Sequence, residues 1–179
     1  MLTREEWISG PGTPPVVKGL FCFTVGSRTA EGTGVRVYGH SVNRRLSILL
    51  GKHATVFQAQ VYAILACAHE VEAQDWPEKY ISICSDSQVA LQALRAAKTT
   101  FPLVCQCQQA NNISARHAVR LYWVPGHAGV RGNEIADGLA RSGSGQRFIG
   151  PEPCLGVSRQ NIRLRFFRAF SSVVRQMSG

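Results

Sequence analysis

The stretch Trp123-Val-Pro-Gly-His-Ala-Gly-Val-Arg-Gly-Asn-Glu-Ile-Ala-Asp137 carries the strongest indication of how this chain folds. A short apolar run, Val119–Val124, leads into it and predicts a buried strand. A Pro-Gly pair then ends the strand, because proline cannot donate to a sheet ladder and glycine permits a turn. A helix is predicted from about Asn133, whose side chain can cap free backbone N–H groups. The pattern places an imidazole, His127, and a carboxylate, Asp137, at a strand end and on the next helix.

These residues also have a simpler interpretation, in which His127 is a loop histidine and Asp137 is a solvated helix residue. Helical spacing places Asn133 and Asp137 on one face of the predicted helix, beside small residues that leave access open. Glu134 is expected to point away from Asp137. Whether this group forms a site depends on what the rest of the chain brings to it.

Composition favours a single basic domain. The chain has 179 residues, 45% of them hydrophobic, which is enough for a real core. Lys and Arg number 20 against 11 Asp and Glu, which gives a net charge of +9. The positive electrostatic potential of such a chain attracts polyanions, so nucleic acid is the expected partner. An anionic membrane surface and plain solubility are the alternatives.

The cysteines and the apolar segments indicate an intracellular protein. Six cysteines are present, several within apolar runs, and Cys105 and Cys107 lack the spacing of a zinc site. No secretion signal is visible, and no apolar run approaches membrane-spanning length. We therefore expect a reduced cytoplasmic or nuclear protein that is not secreted and has no membrane span.

The order of predicted elements indicates an α/β fold with a five-stranded mixed sheet, its first three strands antiparallel and helices on both faces. Ligands of such sheets bind at the carboxyl ends of strands, where Asp86, His127 and Asp137 fall. The predicted strands are Gly19–Ser27, Gly32–Tyr38, Leu46–Leu50, Tyr80–Ser85 and Val119–Val124, and the helices are Thr55–Val71, Gln88–Ala97, Pro102–Asn112 and the one near Asn133.

Three segments are expected along the chain. Residues 1–18 are rich in Pro and Gly and predict a linker or tether. Residues 19–145 form the domain. Residues 146–179 are a C-terminal extension in which Arg159–Val174 predicts a basic amphipathic helix. Docking on the domain is its expected role, with nucleic-acid or membrane-surface contact as alternatives.

Four motifs in order carry a family resemblance: Thr24-Val-Gly-Ser27, Ala59-Gln60, Ser85-Asp-Ser-Gln88 and the run Trp123–Asp137. Together they resemble the type 1 ribonuclease H family over about Leu20 to Ser144. The residues of these motifs are most similar to those of the RNase H domains of non-LTR retrotransposon polyproteins. The resemblance implies a ribonuclease H-like fold and a chain once fused to a reverse transcriptase.

The resemblance implies two-metal endonucleolytic cleavage of the RNA strand of an RNA/DNA hybrid. In that family four carboxylates hold two Mg²⁺ ions, and Mn²⁺ is the alternative ion. Asp86 and Asp137 match two of these metal-binding, catalytic carboxylates, and His127 matches the family's histidine. Val25 and Gln60 stand where the family has Asp and Glu.

These two replacements predict impaired catalysis. Two divalent ions about 4 Å apart repel by roughly 16 kcal/mol at an effective dielectric of about 20, and carboxylate charge offsets this. Val25 has no ligand atom, and Gln60 is a neutral, weaker ligand, so metal binding is expected to be weakened. Glu31 is the first unmatched carboxylate that would fill the gap, although turn geometry disfavours it. Residual metal-dependent RNase H activity is the alternative.

Hybrid binding does not depend on the lost carboxylates. By match to the family, Gly26, Ser27 and Gln88 would contact the minor groove of the hybrid, and Asn133 is added to this set. Three interpretations remain: a catalytically impaired binding domain, a residually active nuclease, and a translated remnant of a mobile element. A capping box over Ser85–Gln88 is a structural alternative for Asp86.

Overall fold

The computed structural model describes residues 3–8, 18–30, 32–39, 44–74, 80–113 and 117–143, together with 153, 155 and 162. The bounds of its helices and strands lie within about two residues of most predicted ones. In chain order they are α1 (Arg4–Ile8), β1 (Leu20–Arg28), β2 (Thr33–Gly39), β3 (Arg44–Leu49), α2 (Val56–Ala73), β4 (Tyr80–Ser85), α3 (Gln88–Arg95), α4 (Pro102–Ile113), β5 (Ala118–Trp123) and α5 (Arg131–Gly143).

The five strands form one mixed sheet in the order β3-β2-β1-β4-β5. The β1–β2 and β2–β3 pairs are antiparallel, while β1–β4 and β4–β5 are parallel. This confirms the predicted fold class. Thr24 pairs with Ser85, and Ser85 pairs with Trp123, so three parallel strands end at one edge of the sheet. The residues that follow these positions meet there.

Helices cover both faces of the sheet, as predicted, and two glycines allow their close approach. A Cβ at Gly26 of β1 would lie 2.6 Å from the carbonyl carbon of Ala59 in α2. A Cβ at Gly132 of α5 would lie 2.1 Å from the ring of Phe23 in β1. Because successive side chains of a strand point to opposite faces, these contacts place α2 and α5 on opposite sides of β1.

Helix α2 is held rigidly against the sheet. Thr55 caps its first turn: the hydroxyl accepts from the Gln58 backbone N–H at 3.2 Å, and Gln58 Oε1 accepts from the Thr55 N–H at 3.0 Å. Most of the helix is buried, and its many alanines let it lie close to both the sheet and α4. This burial fixes the position of Gln60.

The predicted linker contains a helix that sequence patterns did not indicate. Trp7 of α1 is 4% exposed and belongs to an apolar cluster with Phe23 and Val25. A single tryptophan among polar residues shows no helical periodicity, which is why α1 was missed. The predicted amphipathic helix Arg159–Val174 lies outside the described residues, apart from Ile162.

Among the described residues, no helix combines the length and the apolar character that crossing a membrane requires.

Candidate active site at the carboxyl edge of the sheet

Asp86 follows β4 directly and lies half-buried at the carboxyl edge. The N-cap of α3 is Ser87, whose hydroxyl accepts from the Ala90 N–H at 3.2 Å. The alternative in which Ser85–Gln88 forms a capping box is therefore wrong. Trp123, at the end of β5, donates its indole N–H to the Asp86 carbonyl oxygen at 3.2 Å and holds the backbone there. Asp86 is thus not a capping residue, and its carboxylate faces the site.

The Gln60 side chain reaches Asp86 from α2, and its amide nitrogen makes two hydrogen bonds. It donates to the Gly26 carbonyl oxygen at 3.0 Å and to Asp86 Oδ1 at 3.2 Å. Both partners are acceptors, so the nitrogen of the amide must face them. Gln60 is 7% exposed, and its Oε1 is buried without a hydrogen-bond partner. The amide of Gln60, which lies among apolar residues of α2, therefore belongs to the site.

Burial raises the pKa of the Asp86 carboxyl above its ordinary value. The hydrogen bond from Gln60 opposes this shift of the pKa, and the charge of Asp137 adds to it. Asp86 and Asp137 therefore lie close enough to interact, although one follows β4 and the other lies on α5. The two matched carboxylates are brought together at one edge.

His127 lies beside Asp137, with 3.4 Å between His127 Nδ1 and Asp137 Oδ2. The imidazole is 76% exposed and the carboxylate 13%, so the pair opens to solvent on the histidine side. The backbone of His127 has a left-handed φ of 50°, next to a turn that also contains Gly129 with a φ of 78°. This turn presents the imidazole over the start of α5.

Glu134 joins this pair, contrary to the sequence-based expectation that it points away. Ligand atoms of His127, Glu134 and Asp137 all lie within 4.8 Å of one another. Residues three apart on a helix are neighbours, which the prediction overlooked. The Gly129 N–H donates to Glu134 Oε1 at 3.3 Å and ties the carboxylate to the preceding loop.

Val25 lies on the neighbouring strand, is 2% exposed and packs with Phe23, Cys84 and Ala136. Its side chain offers no atom that could bind an ion. Its cross-strand partner is Arg36, which sequence analysis did not single out.

Arg36 anchors α5 to the sheet. It is 3% exposed, and its Nε donates to the Leu139 carbonyl oxygen at 2.7 Å. One terminal nitrogen donates to the Val35 carbonyl oxygen at 2.8 Å. A lone arginine within the apolar strand Thr33–Gly39 was the available signal, since a buried arginine requires such partners.

The four predicted nucleic-acid contacts occupy different environments. Gly26 is packed against α2, whereas Gln88 is exposed at the start of α3. Ser27 is half-buried, and its hydroxyl is buried without a partner. Asn133 is 1% exposed, and its Oδ1 also lacks a partner. Because α5 begins at Arg131, Asn133 lies inside the helix, and its predicted capping role is wrong.

The surviving matched residues therefore converge, and Gln60 contacts one of them, Asp86. Asp86, Asp137 and His127 meet at the carboxyl edge as predicted from strand order. Glu31, the predicted substitute carboxylate, lies outside the described residues.

Comparison with known proteins agrees with this geometry. A search of curated proteins finds no match to the chain. The family model described as RNase H matches residues 18–145, which cover β1 through α5 and all four motifs. Since the match spans most of the chain, the protein is a member of the RNase H family.

Proposed function

We propose that this RNase H domain binds RNA/DNA hybrids and cleaves them poorly or not at all. Members of the RNase H family bind such hybrids and generally use divalent metal ions. The observation that carries the proposal is the contact between Gln60 and Asp86, in which an amide nitrogen donates at 3.2 Å to a carboxylate oxygen. An N–H donor stands where a metal ligand would have to present an oxygen.

The donor set does not fit two magnesium ions. Magnesium requires oxygen ligands in near-ideal octahedral geometry. Val25 has none, and the nitrogen of Gln60 rather than its oxygen faces Asp86. The four positions matched to the family would therefore offer two ions only the carboxylates of Asp86 and Asp137. We infer that the two-metal reaction of the family is impaired here.

A single ion is the most that the remaining ligands support. Asp86 and Asp137 would hold it, and weakly, since two of the four matched positions are neutral. Mn²⁺ would be favoured over Mg²⁺ because an imidazole, His127, lies beside Asp137 at 3.4 Å. The grouping of His127, Glu134 and Asp137 favours residual manganese-dependent cleavage as the second candidate function. Hybrid cleavage in Mn²⁺ that disappears on Asp137→Asn would support this second function.

The binding half of the proposal needs no ion. Gln88 is exposed two residues after Asp86, whereas the Ser27 hydroxyl, at the end of the motif on β1, is buried and has no hydrogen-bond partner. Neutral hydroxyl and amide groups are suited to the 2′-hydroxyls and base edges of a minor groove. The net charge of +9 supplies attraction to the phosphate backbone.

Binding is tested by fluorescence anisotropy of labelled hybrid in chelator, with DNA and RNA duplexes as competitors. We expect salt-sensitive binding with a preference for the hybrid. Gln88→Ala should weaken hybrid binding about two- to tenfold, as expected for one hydrogen bond. Gln92→Ala, an exposed glutamine one turn later on α3, is the matched control and should change nothing. Equal loss in both variants, or no salt-sensitive binding, would contradict the proposal.

We also propose that the domain derives from a retrotransposon polyprotein, because the residues of its four motifs resemble those of such polyproteins. A reverse-transcriptase reading frame directly upstream in the gene would support this origin. Unrelated coding sequence on both sides would contradict it.

A further inference from the structure

The Asp86 carboxylate lies in a tight, acceptor-rich environment. A Cβ at Gly126 would lie 3.3 Å from its Oδ2, so the loop after β5 closes on that oxygen. Its Oδ1 faces the Gln60 amide nitrogen at 3.2 Å, near the carbonyl oxygen of Gly26. The charge of Asp137 is close enough to act on it. A half-buried carboxylate in such a place needs a positive charge or hydrogen-bond donors nearby.

Gln60 supplies those donors. Its amide nitrogen carries two N–H groups, and the two acceptors that face it are Gly26 O at 3.0 Å and Asp86 Oδ1 at 3.2 Å. Both donors are used, which fixes the orientation of the amide. The nitrogen therefore joins the last residues of β1, the residue after β4 and the second turn of α2.

A glutamate at the same position would create a different situation. Its oxygens would face a carbonyl oxygen and a carboxylate oxygen, with no donor among the three. Two negative charges about 3 Å apart in a half-buried site require a cation or a proton between them. The amide avoids that requirement because it donates to both acceptors.

We propose that Gln60 acts as an internal substitute for a divalent cation and keeps this edge of the sheet assembled in the ion-free protein. Gln60 is then a positioning residue, acting through Asp86 and the carbonyl of Gly26. Resting on the proposed function, the inference extends to the ligand: the edge that carries Ser27 and Gln88 is assembled for a hybrid without any metal.

Thermal unfolding of the full chain tests this, in chelator and in millimolar Mg²⁺ or Mn²⁺ at matched ionic strength. The chain as given should have the same Tm in all three buffers. Gln60→Glu should unfold several degrees lower in chelator at pH 8 and regain most of that loss with either ion. Gln60→Met, which removes the donors without adding charge, should lose stability equally in all buffers. Gln92→Glu on the exposed face of α3 controls for unspecific ion binding.

Two results would overturn the inference. One is a Gln60→Glu chain as stable as the original in chelator. The other is an increase in Tm on adding the ions that is as large for the unmodified chain as for Gln60→Glu. If Gln60→Glu does not fold, the test is hydrogen exchange of the Gln60 side-chain amide protons, measured by NMR in the unmodified chain. These protons should exchange slowly in chelator, and fast exchange there would refute the contact.

Failure of this inference is distinguishable from failure of the proposed function, because neither readout involves nucleic acid. Hybrid affinity that is equal in chelator and in Mg²⁺ would support both. An ion-independent Tm without hybrid binding would contradict only the proposed function.

Discussion

At the scale of single residues, Asp86 shows how position alone changes the chemistry of a side chain. Asp86 follows β4, and burial of its carboxylate raises its pKa. The negative charge of Asp137 raises this pKa further. Among the described residues, the hydrogen bond from the Gln60 amide opposes these effects most strongly, and the Asp86 backbone and His127 oppose them to a smaller extent. An ionised Asp86 is therefore costly in the folded protein.

This cost predicts a pH-dependent gain in stability on Asp86→Asn. Because folding raises the pKa of Asp86, the ionised carboxyl destabilises the fold above that pKa, and the penalty fades as pH falls toward the ordinary value of 3.8. Asn keeps an oxygen that accepts from Gln60. In chelator, the Tm of Asp86→Asn should exceed that of the original chain at pH 8, with the gap closing near pH 4. A Tm difference between Asp86→Asn and the original chain that is absent at pH 8, or that increases as the pH falls, would contradict this prediction.

Some site residues were predictable from the sequence, and others depend on packing. Asp86, His127 and Asp137 stand in motifs at strand ends, and strand order places them at one edge. Glu134 and Arg36 could not be placed in the same way. Their roles depend on how α5 lies against the preceding loop and the sheet, which sequence spacing does not specify.

At the scale of elements, two glycines provide a matched pair of tests for the packing of β1, α2 and α5. Gly26→Ala would put a Cβ 2.6 Å from the backbone of α2, whereas a Cβ at Gly138 of α5 would meet nothing within 4 Å. We expect Gly26→Ala to lower stability by about 1–3 kcal/mol through overpacking. Gly138→Ala should raise it by up to about 1 kcal/mol, since alanine favours helices. Urea unfolding measures both, and a Gly26→Ala chain of unchanged stability would refute the close approach.

The anchoring of α5 by Arg36 makes a second prediction at this scale. Arg36→Met keeps apolar volume but removes the donor to Leu139 O, 2.7 Å away, so stability should fall by roughly 1.5–3 kcal/mol. Amide exchange in α5 should accelerate more than exchange in α2. Arg45→Met, at an exposed position of β3, is the control and should be nearly neutral. Equal effects of the two substitutions would show that Arg36 does not anchor α5.

The elements themselves followed from periodicity, with errors where periodicity is weak. Strand Tyr80–Ser85 was predicted with its observed bounds. Helix α5 begins at Arg131, before the predicted cap, because the glycine at 132 packs on Phe23 instead of ending the loop. Helix α1 is too short to show a pattern, and its position depends on burial of Trp7.

At the scale of the whole molecule, the RNase H fold brings Asp86, Asp137 and His127 to one edge of the sheet, with a valine at position 25 and a glutamine at position 60. The chain has a net charge of +9, and its four matched motifs lie on β1, α2, β4, α3, β5 and α5. We expect the fold to supply a place for a hybrid and the residues at 25 and 60 to decide whether the hybrid is cut. We expect these two residues alone to separate this chain from a relative that cleaves hybrids.

Cleavage of a labelled RNA/DNA hybrid in Mg²⁺ tests that claim most directly, comparing the chain as given with a Val25→Asp, Gln60→Glu double variant. Val25 pairs across the strands with the buried Arg36, so we expect this arginine to offset the charge of an aspartate at position 25. We expect cleavage only by the double variant, and its loss when Asp86→Asn is added. Cleavage by the chain as given that is abolished by Asp86→Asn alone would contradict the account.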